Sequence, residues 1–202
     1  MSQGETERNR LIGLARRALG RGEGDSERLR ALAGDLFARV SLEDLAVYSA
    51  DDLADFVRSA DALLALRRRG TTVVDVSEPR AVGDSAGAQV TVVGILNQDM
   101  PFLLDSTLAE VQAFGVGLRL VAHPIVSVTR DVDGRLAGYH GIAPPPEGAI
   151  RESLIQLHVD RIDSAERREQ LAERLQSLFV EVRSAVSDWQ AMLDRVRAVI
   201  DE

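Results

Sequence analysis

The residues best placed to hold a small molecule are Asn97-Gln98-Asp99-Met100-Pro101. A β-branched run precedes them and a helical spacing follows, so they join a strand end to a helix start. Free backbone N–H groups and the positive end of the helix dipole favour a carboxylate there, while Asp99 can hold an ammonium. Both ends of a free amino acid fit such a loop, with Asn97, Asp99 and Met100 as its contacts. The simpler alternative is that Asn97 or Asp99 only caps the helix.

Other chemistry finds less support. His123, His140 and His158 show no metal-ligand spacing such as His-x-x-x-His, so the expectation is exposed or hydrogen-bonded imidazoles and no metal site. Pairs such as Asp51-Asp52 and Glu166-Glu169 lie on helices, where charge normally forms a solvated face. Gly115-Val116-Gly117 supplies two glycines of a dinucleotide fingerprint, but Leu120 stands at the third position and a helix precedes it instead of a strand. No Gly-x-Ser-x-Gly elbow occurs. The chain has no cysteine, which removes disulfides, thiolate zinc and thiol nucleophiles. It has no lysine either, so every basic residue is Arg, and Walker-A loops, Schiff bases and lysine acid–base catalysts are excluded.

The elements that must position these residues fall into two runs. Over 5–69 the pattern is helical with glycine breaks: Leu11, Leu14 and Leu19 lead to Gly20, the 20–24 stretch is a loop, and a second helix starts at Asp25 or Ser26. Ser49 stands three residues before Asp52, a capping arrangement for a helix carrying Leu53, Phe56, Val57, Ala60, Leu63 and Leu64. Arg67, Arg68 and Arg69 then read as cations in its last turn, complementing the dipole before Gly70. After Gly70 the period becomes 2. Residues 71–76 read as a short strand, 77–88 as a loop, and 89–96 as a better strand.

Asn97-Gln98-Asp99 reads as a polar turn, and Pro101 suits the first position of a helix that stops at Gly115. The stretch 117–129 is extended with a break at Pro124, and Asp133-Gly134 predicts that 135–140 returns as a hairpin. Residues 151–161 alternate, with Ser153, Ile155, Leu157 and Val159 on one face and Glu152, Gln156, His158 and Asp160 on the other. Only Leu154 breaks that alternation, and the expectation is a sheet with one solvated face. A long helix follows from Asp163 or Ser164, and Ser187, three residues before Gln190, starts a new one. The pattern still runs at Asp201-Glu202, which reads as an excised piece of something longer.

The 202 residues carry 24 basic and 32 acidic side chains, a net charge of −8, which argues against nucleic acid or a membrane surface as partner. At 45% hydrophobic and 28% charged the composition is globular, and with 4% aromatics the core must be aliphatic. There is no signal-like start and no window of about 18 apolar residues, so the chain is read as cytoplasmic.

The succession of strand, Asp99-Met100-Pro101-Phe102-Leu103-Leu104, helix, Gly-Val-Gly and strand resembles the opening of an ACT domain, a βαββαβ module that often senses amino acids. An ordered set of blocks is similar to the amino-terminal region of the large bacterial NAD-specific glutamate dehydrogenases. The set comprises Tyr48-Ser49-Ala50-Asp51-Asp52-Leu53, then 97–106, then His123-Pro124-Ile125-Val126, then 130–135. It continues with His158-Val159-Asp160-Arg161-Ile162 and Ser187-Asp188-Trp189.

The resemblance implies an α+β fold, an ACT/ferredoxin-like four-stranded, mainly antiparallel sheet with helices on one face. A helical segment over 1–69 would precede the ACT-like domain over 70–202. Residues from Ser164 are helical where the module's fourth strand belongs, so 71–76 is expected at that edge, antiparallel to 89–96. Phe102 stands where ligand-binding ACT domains commonly carry glycine, which implies a loop closed by its own core. The family's catalytic core uses lysines and lies elsewhere in a longer chain. The resemblance therefore implies no catalytic residue and no cofactor in this stretch, NAD belonging to the absent region.

Two functions follow. One is a regulatory and assembly segment of NAD-specific glutamate dehydrogenase, partnered by the rest of that enzyme and by sister subunits. The other is a free-standing ACT-type sensor that binds a free amino acid. An RNA-recognition-like module would need stacking aromatics on 89–96 and 151–161, which hold none.

Overall fold

The computed structural model describes residues 3–20, 25–65, 67–83 and 88–200. Most of the glycine-rich loop at 20–24, part of the 77–88 loop and the terminal pair 201–202 lie outside the described residues. Glycine and capping residues divide the first run into α1 (Gln3–Ala18), α2 (Asp25–Phe37), α3 (Leu42–Leu45) and α4 (Ala50–Leu64). The start of α4 is a full capping box. Ser49 Oγ accepts from the Asp52 N–H, and Asp52 accepts from the Ser49 N–H at 2.8 Å. Arg28 ties α2 to α4 through both oxygens of Asp61. The arginine run does not belong to the last turn of α4, which ends at Leu64. Arg67 instead turns inward, because its N–H donates to Gly134 O and its guanidinium meets a buried carboxylate described below.

The second run builds one sheet. β3 (Gln89–Gln98) and β7 (Ile150–Asp160) form its centre, paired antiparallel from Val90↔Asp160 to Gln98↔Glu152. β1 (Val73–Val76) lies antiparallel beside β3, Val73 opposite Leu96, and β2 (Arg80–Ala81) continues along the same edge. This is the edge position expected for 71–76, so a strand that precedes the module fills the place of its fourth strand. On the far side of β7, β4 (Leu118–Ala122) and β5 (Ile125–Arg130) follow one another with a break at His123-Pro124. Proline has no N–H for the ladder, yet its carbonyl still accepts from the Leu154 N–H at 3.1 Å. β6 (Leu136–Tyr139) returns as the expected hairpin and closes the order β1-β3-β7-β5-β6.

Alternation then sorts the central strands between two layers. Val93, Ile95, Ile155, Leu157 and Val159 meet α5 (Leu103–Phe114) and α6 (Ala165–Ile200), the helices of the ACT-like module. Val90, Val92, Leu96 and Leu154 meet α1–α4 in one continuous core with Leu53, Phe56 and Leu64. Gly94 lets α4 come close, since a Cβ there would sit 3.2 Å from Leu63 Cδ2.

The face of β7 expected to be solvated is therefore covered, and Glu152, Gln156 and His158 are buried. Leu154 fits the alternation once that face is a core. Three local expectations also change. β3 runs on to Gln98, so the polar turn begins later. Pro101 and Phe102 form a turn and α5 starts at Leu103. Ser187 starts no new helix, because the 165–200 stretch contains no glycine or proline to interrupt α6.

Candidate functional site

The loop singled out by its sequence sits where β3 turns into α5, but its residues are engaged separately. Asn97 is 1% exposed, and its Oδ1 accepts from the Gln98 N–H at 2.9 Å and from Arg183 of α6 at 3.2 Å. Its Nδ2 is buried with no acceptor among the described residues. Asp99 turns to the start of β7: its N–H donates to Arg151 O at 3.0 Å, and its carboxylate lies 3.5 Å from Arg151 Nε. Met100 packs against the core beneath α5 and α6. The three residues are thus neighbours in sequence that face three different partners. None of them caps α5. That role falls to Phe102, held at φ 69° with no side-chain cap bond and with its ring 62% exposed.

Beside this loop, His123 Nε2 lies 2.7 Å from Ser153 Oγ, on the residue opposite Asn97 in the sheet. Burial lowers its pKa below the usual histidine value, partly opposed by the Asp99 charge. His140 meets Thr129 and His158 meets Tyr48, so the three imidazoles are apart. Among the described residues no group of three or more His, Asp or Glu side chains could hold a metal ion.

A dinucleotide is no better served by Gly115 and Gly117. Gly115 ends α5 with φ 81°, and a Cβ on Gly117 would meet Asp160 Oδ2 at 2.3 Å, so these glycines accommodate a helix stop and a neighbouring side chain. They do not fit a nicotinamide cofactor.

The strongest polar constellation was hidden in the sequence. Glu152, wholly buried on β7, accepts from Arg67 Nε at 2.7 Å and, through both oxygens, from Arg130 Nε and NH2 at 2.7 and 2.6 Å. The two guanidinium groups also donate to the carbonyls of Leu64, Arg68, Thr71 and Gly134. A second buried link joins the layers, His158 Nδ1 to Tyr48 OH at 3.0 Å with Phe56 packed on the imidazole. Burial, with Arg80 nearby, pushes His158 down to about 3, and burial with the Asp44 charge pushes Tyr48 up to about 12. Both groups are therefore neutral at pH 7. Only the even spacing of Glu152, Gln156 and His158 with Leu154 signalled a second core on that face.

This architecture, an antiparallel sheet with α5 and α6 on one face, is that of an ACT-like, ferredoxin-like module. Residues 32–175 match the family model described as "Glutamate dehydrogenase, ACT1 domain", and the chain belongs to that family. It is 32% identical over 169 residues to the NAD-specific glutamate dehydrogenase of Halomonas elongata, covering 82% of this chain and 10% of the relative. With the NAD-specific glutamate dehydrogenase of Pseudomonas aeruginosa it shares 27% identity over 168 residues, covering 83% and 10%. The chain thus spans about a tenth of the length of these curated relatives. No solved structure is significantly similar to it. No helix among the described residues is long and apolar enough to cross a membrane.

Proposed function

We propose that this chain is a noncatalytic regulatory and assembly part of an NAD-specific glutamate dehydrogenase, whose parent reaction deaminates L-glutamate oxidatively to 2-oxoglutarate with NAD. The hydride transfer and the cofactor belong to other parts of the parent chain, and the partners of this part are those domains and sister subunits. The relatives' printed activity and their tenfold greater length support that division.

The observation that carries the assembly role is Phe102. A bulky residue in the left-handed region is strained by roughly 1–2 kcal/mol. Its ring is largely exposed, so contacts within this chain offset little of that strain. A contact with another domain of the parent enzyme would. The buried, partnerless Nδ2 of Asn97 supports the second reading, a free amino acid whose carboxylate accepts from it.

One experiment separates the two. Sedimentation of the full-length parent enzyme is compared with its Phe102→Gly variant, each with and without millimolar glutamate. Assembly predicts that Phe102→Gly loosens the oligomer while raising the melting temperature of this chain alone, because glycine relieves the left-handed strain. A sensor predicts association that tightens with glutamate in both proteins. An unchanged oligomer in the variant would rule out the Phe102 contact.

A further inference from the structure

We infer that the cleft between the 67–70 turn and the β5–β6 hairpin binds a small dianion, a phosphate- or dicarboxylate-bearing metabolite. The cleft encloses about 670 Å³ and is lined by Arg67, Arg68, Arg69, Arg130, Gly134 and Ile150, among others. That volume is within the range of small-molecule sites.

Charge gives the cleft its preference. The Arg67 and Arg130 side chains are both buried, and among the described residues the one carboxylate that meets them is Glu152. The further bonds that they make are to backbone carbonyls, which are dipoles and not charges. One positive charge is therefore left without a counter-charge inside the protein, where low dielectric makes it strongest. Arg68 and Arg69 add two exposed guanidinium groups at the mouth. Asp131 and Asp133, exposed like Arg68 and Arg69, also line the cleft and formally offset those two charges, so the net positive charge is the one left by Arg67 and Arg130 over Glu152, while Asp131 Oδ1 is turned to the N–H groups of Asp133 and Arg135.

The floor is held in place by Gly134, whose carbonyl accepts from the Arg67 N–H and from Arg130 NH1. A Cβ on Gly134 would lie 2.7 Å from Arg67 O, so the hairpin turn is seated directly on the arginine run. Guanidinium forks match the paired oxygens of phosphates and carboxylates. Gln98 of the candidate loop also lines the cleft, but Asn97, Asp99, Met100 and Phe102 do not, so the site stands or falls independently of the assembly role.

The test is thermal unfolding and calorimetric titration of this chain with inorganic pyrophosphate and with glutarate, ionic strength held constant with sodium chloride. At least one of the two is expected to raise the melting temperature by several degrees when present about 100-fold above its dissociation constant. The Arg68→Ala, Arg69→Ala double variant should keep the ligand-free melting temperature and bind at least tenfold more weakly. Amide shifts of Gly134 and Gly148 should move on titration, a readout that needs no variant. A response to pyrophosphate alone assigns a phosphate ligand, and one to glutarate alone a dicarboxylate. No response to either, or full binding by the double variant, overturns the site.

Discussion

The two faces of one sheet are built on different principles. Toward α5 and α6 the central strands present Val93, Ile95, Ile155, Leu157 and Val159, an aliphatic surface met by Leu171, Leu175 and Phe179. Toward α1–α4 the same strands present Leu154 and Leu96 interleaved with Glu152, Gln156 and His158, all buried. Apolar contact is non-directional and tolerates sliding, whereas a buried carboxylate or imidazole is satisfied in one geometry only. The polar bonds each tie a particular element of the helical layer or its connections to a particular strand. Arg67 meets Glu152 of β7, Tyr48 meets His158 of β7, and Asp35 of α2 accepts from Tyr139 OH of β6 at 2.7 Å. Both faces supply apolar cohesion, with Val90 and Val92 also packed toward α1–α4, but only that face adds the polar bonds that determine where its helical layer sits.

The contrast is broken most severely at Glu152. Replacing it by Ala leaves Arg67 and Arg130 buried without any carboxylate, and a loss of about 3–5 kcal/mol is expected from denaturant unfolding. Replacing all three, Arg67→Met with Glu152→Leu and Arg130→Met, removes the orphaned charges together and should recover more than half of that loss. A triple variant as unstable as Glu152→Ala would mean that the ion network is worth more than the apolar packing that replaces it.

On the other face Leu157→Ala should cost about 3 kcal/mol through lost burial and a residual cavity. The two faces separate most clearly under isosteric exchange. Leu157→Met conserves volume and should cost under about 1.5 kcal/mol in the same assay. Glu152→Gln conserves shape as well, yet it removes the charge that two guanidinium groups require, so its cost should remain well above that of Leu157→Met. Equal costs would erase the distinction between the faces.

The sequence made one face far more legible than the other. The 3.6 period of α4, the Ser49–Asp52 box, the hairpin at Asp133-Gly134 and the strand at 73–76 follow from local rules, because their causes lie within a few residues, whereas the edge position of that strand came from the resemblance to the ACT module. Alternation on β7 divides its side chains correctly, but polar spacing alone does not distinguish water from a second layer. The layer is contributed by helices some 100 positions away, as with the 110-residue separation of Tyr48 and His158. Leu154 was the visible exception.

Arg67 illustrates the same limit, since its partner Glu152 lies 85 residues on and a run of three arginines after a helix reads as dipole complementation. At the candidate loop the residue types were informative and their directions were not. Asn97 belongs to a strand that runs two residues further than its turn-like composition implies, which sends it toward Arg183 while Asp99 turns to Arg151.

The effect most specific to the polar face is a slope with pH. His158 has a folded-state pKa of about 3, well below its value of 6.5 in an unfolded chain. The unfolded chain therefore binds the extra proton through most of the range between those values, and stability must rise with pH across it. Read downward, the contribution is intact above about pH 6.5 and declines as the solution is acidified. The loss should reach about 2 kcal/mol between pH 7 and pH 5 at 1.36 kcal/mol per unit.

His123 is also held below its usual value by burial, and it contributes a slope of the same sign in the same window. Comparison with His158→Gln isolates the share of His158. Glutamine still offers a hydrogen-bond partner to Tyr48 and does not titrate, so the variant should lose most of the slope while starting from a lower stability at pH 7. Unfolding free energies measured at pH 7, 6 and 5 on both proteins decide the matter. Parallel curves would mean that the imidazole between Tyr48 and Phe56 accepts its proton without opening the polar face.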